Sequence, residues 1–207
     1  MHANAKFWDK VAEKYSRRPV SDPDAYAQTL ERTRSWLNET DRALEIGCGT
    51  GSTALVLAPS VAHLTATDIS AEMIRIARRK AQTDGPANLD FRVTAFPEGI
   101  GTPEPLDVVM AFNLLHLVPD VDGTLAQVHA ALKPGGLFIS KTGCVGGKRL
   151  LLAMIKVMQL VGKAPMVHAF TTEEIEARIA RAGFEIVETG SYPDRSPPSR
   201  FVVARKL

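Results

Sequence analysis

Residues 43–51 read ALEIGCGTG, an apolar strand that carries Glu45 and runs into three alternating glycines, Gly47, Gly49 and Gly51. A glycine loop between a strand and a helix opens the ligand-binding half of several α/β folds. Glycine lets the backbone turn sharply there and approach a ligand closely. The G-x-G-x-G spacing departs from the dinucleotide fingerprint G-x-G-x-x-G, whose third glycine comes one residue later. No Gly-Lys-Ser/Thr follows, which excludes a Walker loop. Three glycines in five residues are more than a simple tight turn needs.

The acidic residues narrow the ligand. Asp68 ends the next apolar strand, HLTATDI (63–69), where a carboxylate can accept hydrogen bonds from both hydroxyls of a ribose. Glu45 lies two residues before the first glycine, where a cationic amino group is welcome and a pyrophosphate is not. A ligand with a ribose, no phosphates and a positive end satisfies both carboxylates.

Outward from this stretch, strands alternate with helices. Arg42–Ile46 leads through the glycine loop into a helix across Ser52–Ala58, and His63–Ile69 is a second strand. Ser70 caps a helix with Glu72 in its first turn and Arg75, Arg78, Arg79 and Lys80 toward its end, as the helix dipole favours. Leu89–Thr94 is a third strand. Leu106–Phe112 is a continuous apolar run, the pattern of a strand covered on both faces. A helix over Val121–Leu132 and a turn at Lys133–Gly136 lead into the strand Leu137–Lys141. Thr171–Glu174 opens a helix that Gly183 closes. The strands Phe184–Gly190 and Arg200–Arg205 then follow with no helix between them, so they are antiparallel neighbours.

The fold class expected is α/β: a Rossmann-like, seven-stranded, mostly parallel sheet with helices on both faces and a C-terminal antiparallel hairpin. Residues 1–207 read as a single domain. Helices at Ala5–Tyr15 and Pro23–Leu37 make residues 1–40 a cap over the carboxyl ends of the strands, and residues 144–170 form a helical insert.

In this order the segments resemble class I S-adenosylmethionine-dependent methyltransferases of the small-molecule branch. ALEIGCGTG (43–51) is similar to their first motif and TATDIS (65–70) to the ribose-binding strand end. LDVVMAFNLLHLVPD (106–120) is similar to the fourth-strand motif and LKPGGLFIS (132–140) to the fifth. FWDKVAEKY (7–15) resembles the amino-terminal segment of many small-molecule members. The resemblance implies S-adenosylmethionine as cofactor, S-adenosylhomocysteine as product and roles by position. Glu45 and the loop Gly47, Cys48, Gly49 and Gly51 would hold the methionyl part. Asp68 would take the ribose, Ile69 and Met73 would line the adenine, and Asn113 and Leu114 would lie near the methyl group. Tyr15 is a candidate contact to the methionyl carboxylate, beside simple helix packing. One departure stands out. Relatives often place an acidic residue after the third strand for the adenine amino group, whereas this chain has Thr94-Ala95-Phe96-Pro97 and no carboxylate before Glu98. Ala95 and Phe96 are the contacts left for the base.

Methyl transfer from a sulfonium is an in-line displacement, so it needs alignment, a dry site and, for some acceptors, a base. His116, just past the fourth strand, is the candidate catalytic base, with a structural histidine as the alternative; His168 and Tyr192 are weaker candidates. No histidine and carboxylate spacing suggests a metal. The tetrapeptide Asn113-Leu114-Leu115-His116 is not the clamp that amino-methylating nucleic-acid enzymes close on a flipped base. The net charge of +2 is small, and with no basic excess nucleic acid is not the expected partner.

Hydrophobic residues make up 45% of the 207 and charged residues 23%, an ordinary soluble composition. Cys48 and Cys144 form no metal or disulfide framework, consistent with reduced thiols and a cytoplasmic location. The amino terminus lacks the apolar core of a secretory signal. The longest apolar stretch, LLLAMIKVMQLVG (150–162), is shorter than a membrane span and contains Lys156 and Gln159. Its stripe reads as a lid over an apolar or lipid-like acceptor, as core packing, as a homodimer interface or as a membrane-surface element. The expected activity is methylation of a small molecule at oxygen, nitrogen or carbon. The rival readings are a non-catalytic cofactor- or partner-binding module on the same fold, a protein methyltransferase and a nicotinamide oxidoreductase.

Overall fold

The computed structural model describes residues 3–94, 104–194 and 197–207. The elements run α1 (Ala3–Ser16), α2 (Pro23–Arg34), β1 (Arg42–Ile46), α3 (Ser52–Leu57), β2 (His63–Asp68), α4 (Ala71–Asp84), β3 (Leu89–Val93) and β4 (Leu106–Phe112). There follow α5 (Val121–Ala131), β5 (Leu132–Gly143), α6 (Arg149–Leu160), α7 (Thr172–Arg181), β6 (Phe184–Ser191) and β7 (Ser199–Lys206).

Local chemistry sets most boundaries. The Asp22 carboxylate accepts from the Ala25 amide at 3.0 Å and Pro23 begins α2. The Ser70 hydroxyl accepts from the Met73 amide at the start of α4, and Asp120 caps α5 through the Gly123 amide. Thr171 and Glu174 form a reciprocal capping box on α7. Gly183, at φ 92°, turns the chain out of that helix into β6.

The seven strands form one sheet in the order β3-β2-β1-β4-β5-β7-β6. Among the described strands only β7 runs opposite to the rest, antiparallel to both β5 and β6. The expected hairpin is therefore present, but its second strand lies inside the sheet and β6 is the edge. Burial explains the order: Phe201, Val202, Val203 and Ala204 of β7 are all buried, whereas β6 is mostly half-exposed.

Side chains alternate between two apolar layers. Leu44, Ile46, Val109, Phe138 and Val202 pack with Leu125, Val128, Ile175 and Ile179 from α5 and α7. Ala43, Val108, Met110, Ile139 and Val203 pack with Leu30, Leu57, Ile74 and Ala77 from α2, α3 and α4. By the strand's period of two, Glu45 shares the second layer with Ala43. The two amino-terminal helices attach where the sheet's carboxyl ends lie. Helix α1 packs on α4 through Trp8, Ala12, Met73 and Ile76. Asp9 accepts from the Ser70 hydroxyl at 2.6 Å and from the Glu72 amide at 3.2 Å. Helix α2 reaches α3 through Tyr26 and Thr53, and β5 through Thr29 and Lys141.

Helix α6 differs from the rest: none of its residues is buried. Core packing therefore does not account for its apolar stripe.

Candidate functional site

The strand order reverses between β1 and β4, and open parallel sheets bind ligands at the carboxyl ends beside such a reversal. Glu45 sits there, in register with Ala66 of β2 and Met110 of β4. It is 2% exposed, and its Oε2 has no hydrogen-bond partner among the described residues. Burial, reinforced by the charge of Asp68, pushes the Glu45 carboxyl up to about 8. A carboxyl raised this far favours its protonated form at neutral pH.

Beyond β1 the loop runs in the left-handed region at Gly47, Gly49 and Gly51, with φ of 67°, 55° and 75°. The three positions differ in what surrounds them. A Cβ at Gly51 would stand 2.7 Å from the Phe91 ring and 2.8 Å from Ala77, so this glycine serves packing of α3's start against α4 and β3. A Cβ at Gly47 would meet Leu114 at 2.6 Å, which shows the loop and the end of β4 closing on each other. At Gly49 a Cβ would meet nothing within 4 Å; this glycine faces open space.

Asp68 ends β2 facing the same loop. Its two oxygens accept from the Gly49 amide and the Ser70 amide, each at 2.9 Å. Burial raises this carboxyl too, against the lowering effect of those amides. A carboxylate has roughly four acceptor positions, so capacity for a diol remains. Cys48 is buried in the same loop; burial and the charges of Glu45 and Asp68 raise its thiol well above the ordinary range. On the outer side of the loop Lys80 donates to Thr50 and Ser52, both at 2.9 Å. That contact makes Lys80 a brace of the loop.

Asn113 follows β4 at φ 55°, a conformation asparagine tolerates better than most side-chain-bearing residues. Its amide donates to the Lys141 carbonyl at 2.7 Å. Leu115–Leu117 then form one 3-10 turn that carries His116. The Nδ1 of His116 is buried with no partner among the described residues, and burial, with the nearby His168, holds the imidazole down at about 4. Backbone bonding joins His168 to His116 at 2.8 Å. Tyr15 is half-exposed on α1, in edge contact with Trp8; partial burial and the Asp68 charge raise its phenol. Ile69 is half-buried after Asp68. Met73 is buried between α1 and α4, which puts α1 between it and solvent. Ala95 and Phe96 lie outside the described residues.

Two contributors escape a reading of the sequence. Lys141, 8% exposed near the end of β5, donates to the Thr29 hydroxyl at 2.9 Å, and burial lowers its ammonium. Asp9 ties α1 to the residue that caps α4. The only hint of Lys141 was a cation ending an apolar strand, FISK; for Asp9 there was none. Among the described residues, no cluster of metal-binding side chains occurs.

Among the described residues this arrangement has two carboxyl groups and a glycine cradle open at Gly49, and the neighbouring Lys80 is engaged with Thr50 and Ser52. It suits a ribose-bearing cation and not a pyrophosphate. A family model for a methyltransferase domain matches residues 17–189. The chain belongs to this methyltransferase family. It is 34% identical over 124 residues to a ubiquinone biosynthesis O-methyltransferase of Methylocella silvestris, covering 60% of this chain and 48% of that protein. The methyltransferase chain thus spans about half the length of the curated relatives it matches. It is also 30% identical over 190 residues to the iterative polyketide synthase afoE of Emericella nidulans, covering 82% of this chain but 6% of that protein. Among solved structures, magnesium protoporphyrin IX methyltransferase from Synechocystis, with bound SAH, superposes with a TM-score of 0.75. The identity there is 19%, over 99% of this chain and 98% of that one. The N-methyltransferase NodS from Bradyrhizobium japonicum, also with SAH, gives 0.72 at 17% identity over 96% and 98% of the two chains. These two likenesses establish the fold.

Proposed function

We propose that the protein is an S-adenosylmethionine-dependent methyltransferase acting on a small-molecule acceptor. The observation that carries this reading is the buried, unpartnered carboxyl of Glu45 beside Asp68 at the glycine loop. A cation there would restore the charge of Glu45 and relieve its repulsion by Asp68.

When bound, S-adenosylmethionine supplies an electrophilic methyl group on a sulfonium centre. Glu45 and the backbone of Gly47, Cys48, Gly49 and Gly51 hold the methionyl part, with Tyr15 as a contact to its carboxylate. Asp68 takes the ribose hydroxyls, and Ile69, with Met73 behind it, borders the adenine. The base contacts assigned to Ala95 and Phe96 rest on the sequence alone. Asn113 and Leu114 close the site beside the loop and help to exclude water. His116, neutral at physiological pH, is the group that would take a proton from the acceptor. The name of the curated relatives, ubiquinone biosynthesis O-methyltransferase, supports a small apolar acceptor methylated at oxygen.

The test is turnover of S-adenosylmethionine to S-adenosylhomocysteine across a panel of apolar phenols, carboxylic acids and amines. Acceptor-dependent product formation, abolished by Glu45→Gln, is the expected result. Cofactor binding without turnover on any acceptor would instead favour the non-catalytic module.

A further inference from the structure

Helix α6 presents an apolar face that the other described residues leave exposed. Leu150, Met154, Val157 and Val161 recur at the i, i+4, i+7, i+11 spacing of one helical stripe, and they are 87%, 54%, 61% and 60% exposed. The half-buried residues, among them Leu151, Leu152 and Ile155, lie on the other side, toward the protein. The apolar stripe therefore points outward. A lid closed over an acceptor would point it inward.

Charge identifies what covers this face. Residues 142–172 contain Lys148, Arg149, Lys156 and Lys163 and not one aspartate or glutamate. These four exceed the whole chain's basic surplus, 25 basic against 23 acidic residues. All four are exposed, at the ends of α6 and along its flank. A second copy docked face to face would bring like charges together, with no acidic residue in the segment to receive them. An anionic bilayer accepts both parts of the surface, the acyl boundary taking the leucines, methionine and valines and the headgroups taking the ammonium and guanidinium groups. No helix of the described residues is long and apolar enough to cross a membrane, so the contact lies in the plane of the surface.

We infer that α6 with its flanking lysines and arginine is a reversible docking surface for anionic lipid membranes. The Gly146 amide bonds to the Phe170 carbonyl at 2.7 Å, which holds the two ends of the insert together. The insert joins the body where the Cys144 amide bonds to the Pro198 carbonyl and the His168 amide to the His116 carbonyl. Docking through α6 thereby ties the membrane surface to the segment that carries His116. The inference does not depend on the proposed methyl transfer.

The test is sedimentation of the full chain with vesicles of phosphatidylcholine alone and of an equal mixture of phosphatidylcholine and phosphatidylglycerol, with molecular size measured in parallel. The chain is expected to sediment with the mixed vesicles and not with phosphatidylcholine, and to be released by salt. Leu150→Glu/Val157→Glu should abolish sedimentation. Lys156→Ala/Lys163→Ala should weaken it about 30-fold, at about 1 kcal/mol per basic side chain near an anionic surface. All four positions are exposed, so melting temperatures should not change. Failure to bind the mixed vesicles would overturn the inference, as would binding that both variants retain. A dimer that Leu150→Glu/Val157→Glu splits, without vesicle binding, would assign the face to a second copy instead.

Discussion

At the residue scale, Glu45 and His116 act on stability in opposite senses. The folded Glu45 carboxyl lies at about 8, above its ordinary 4.5, so the folded state holds a proton that the unfolded chain releases. Stability from this group falls as pH rises from about 4.5 to 8. The folded His116 imidazole lies at about 4, below its ordinary 6.5, so its contribution falls as pH drops through that interval. The two slopes cancel between about 4.5 and 6.5, leaving the Glu45 loss between about 6.5 and 8, on the order of 2 kcal/mol. The ligand-free protein should therefore melt at lower temperature at pH 8 than at pH 6.5, and Glu45→Gln should remove most of that difference. An unchanged slope in the variant would show that Glu45 is not the group responsible. His116→Asn should lower turnover by roughly 10²-fold with S-adenosylhomocysteine affinity intact. Equal loss of both would make the histidine structural. Glu45 and Asp68 were legible in the sequence because each is an acid at the end of an apolar strand. The charge state of His116 was not, since it depends on burial and on His168, distant in sequence.

At the element scale, the glycine loop separates fold from binding. Gly51→Ala puts a Cβ against Phe91 and Ala77 at a positive φ, and should cost about 2–4 kcal/mol from overpacking and left-handed strain together. Gly49→Ala meets no atom and should cost only about 1–2 kcal/mol, yet abolish cofactor binding by filling the cradle. Urea unfolding read beside equilibrium dialysis with S-adenosylmethionine distinguishes the two; equal binding loss per unit of stability in both variants would count against a ligand cradle at Gly49. The helix starts at Ser70 and Thr171 were readable because capping is local chemistry. The position of β7 between β5 and β6 was not, because pairing order is decided by which strand buries both faces. The stripe on α6 showed its period plainly, but a period does not say whether the stripe faces core or solvent.

At the scale of the whole molecule, the sheet's reversal brings Glu45, the glycine loop, Asp68 and the end of β4 to one edge. Helix α1 is fastened there through Asp9 and Ser70, and α2 through Thr29 and Lys141. The alternation of strands and helices carried the architecture, and the four motifs carried the family. The fastening contacts join residues as far apart as 29 and 141, and no local pattern announces them. On the proposed function, the two carboxyls and the glycine loop form a site for a cationic nucleoside. Calorimetric titration with S-adenosylmethionine and S-adenosylhomocysteine, beside NAD, on the unaltered protein and Asp68→Ala tests it most directly. Micromolar binding of both methionine-derived ligands, absent for NAD and lost in the variant, is the result expected. Folded protein that binds neither ligand, or that binds NAD in their place, would contradict the account.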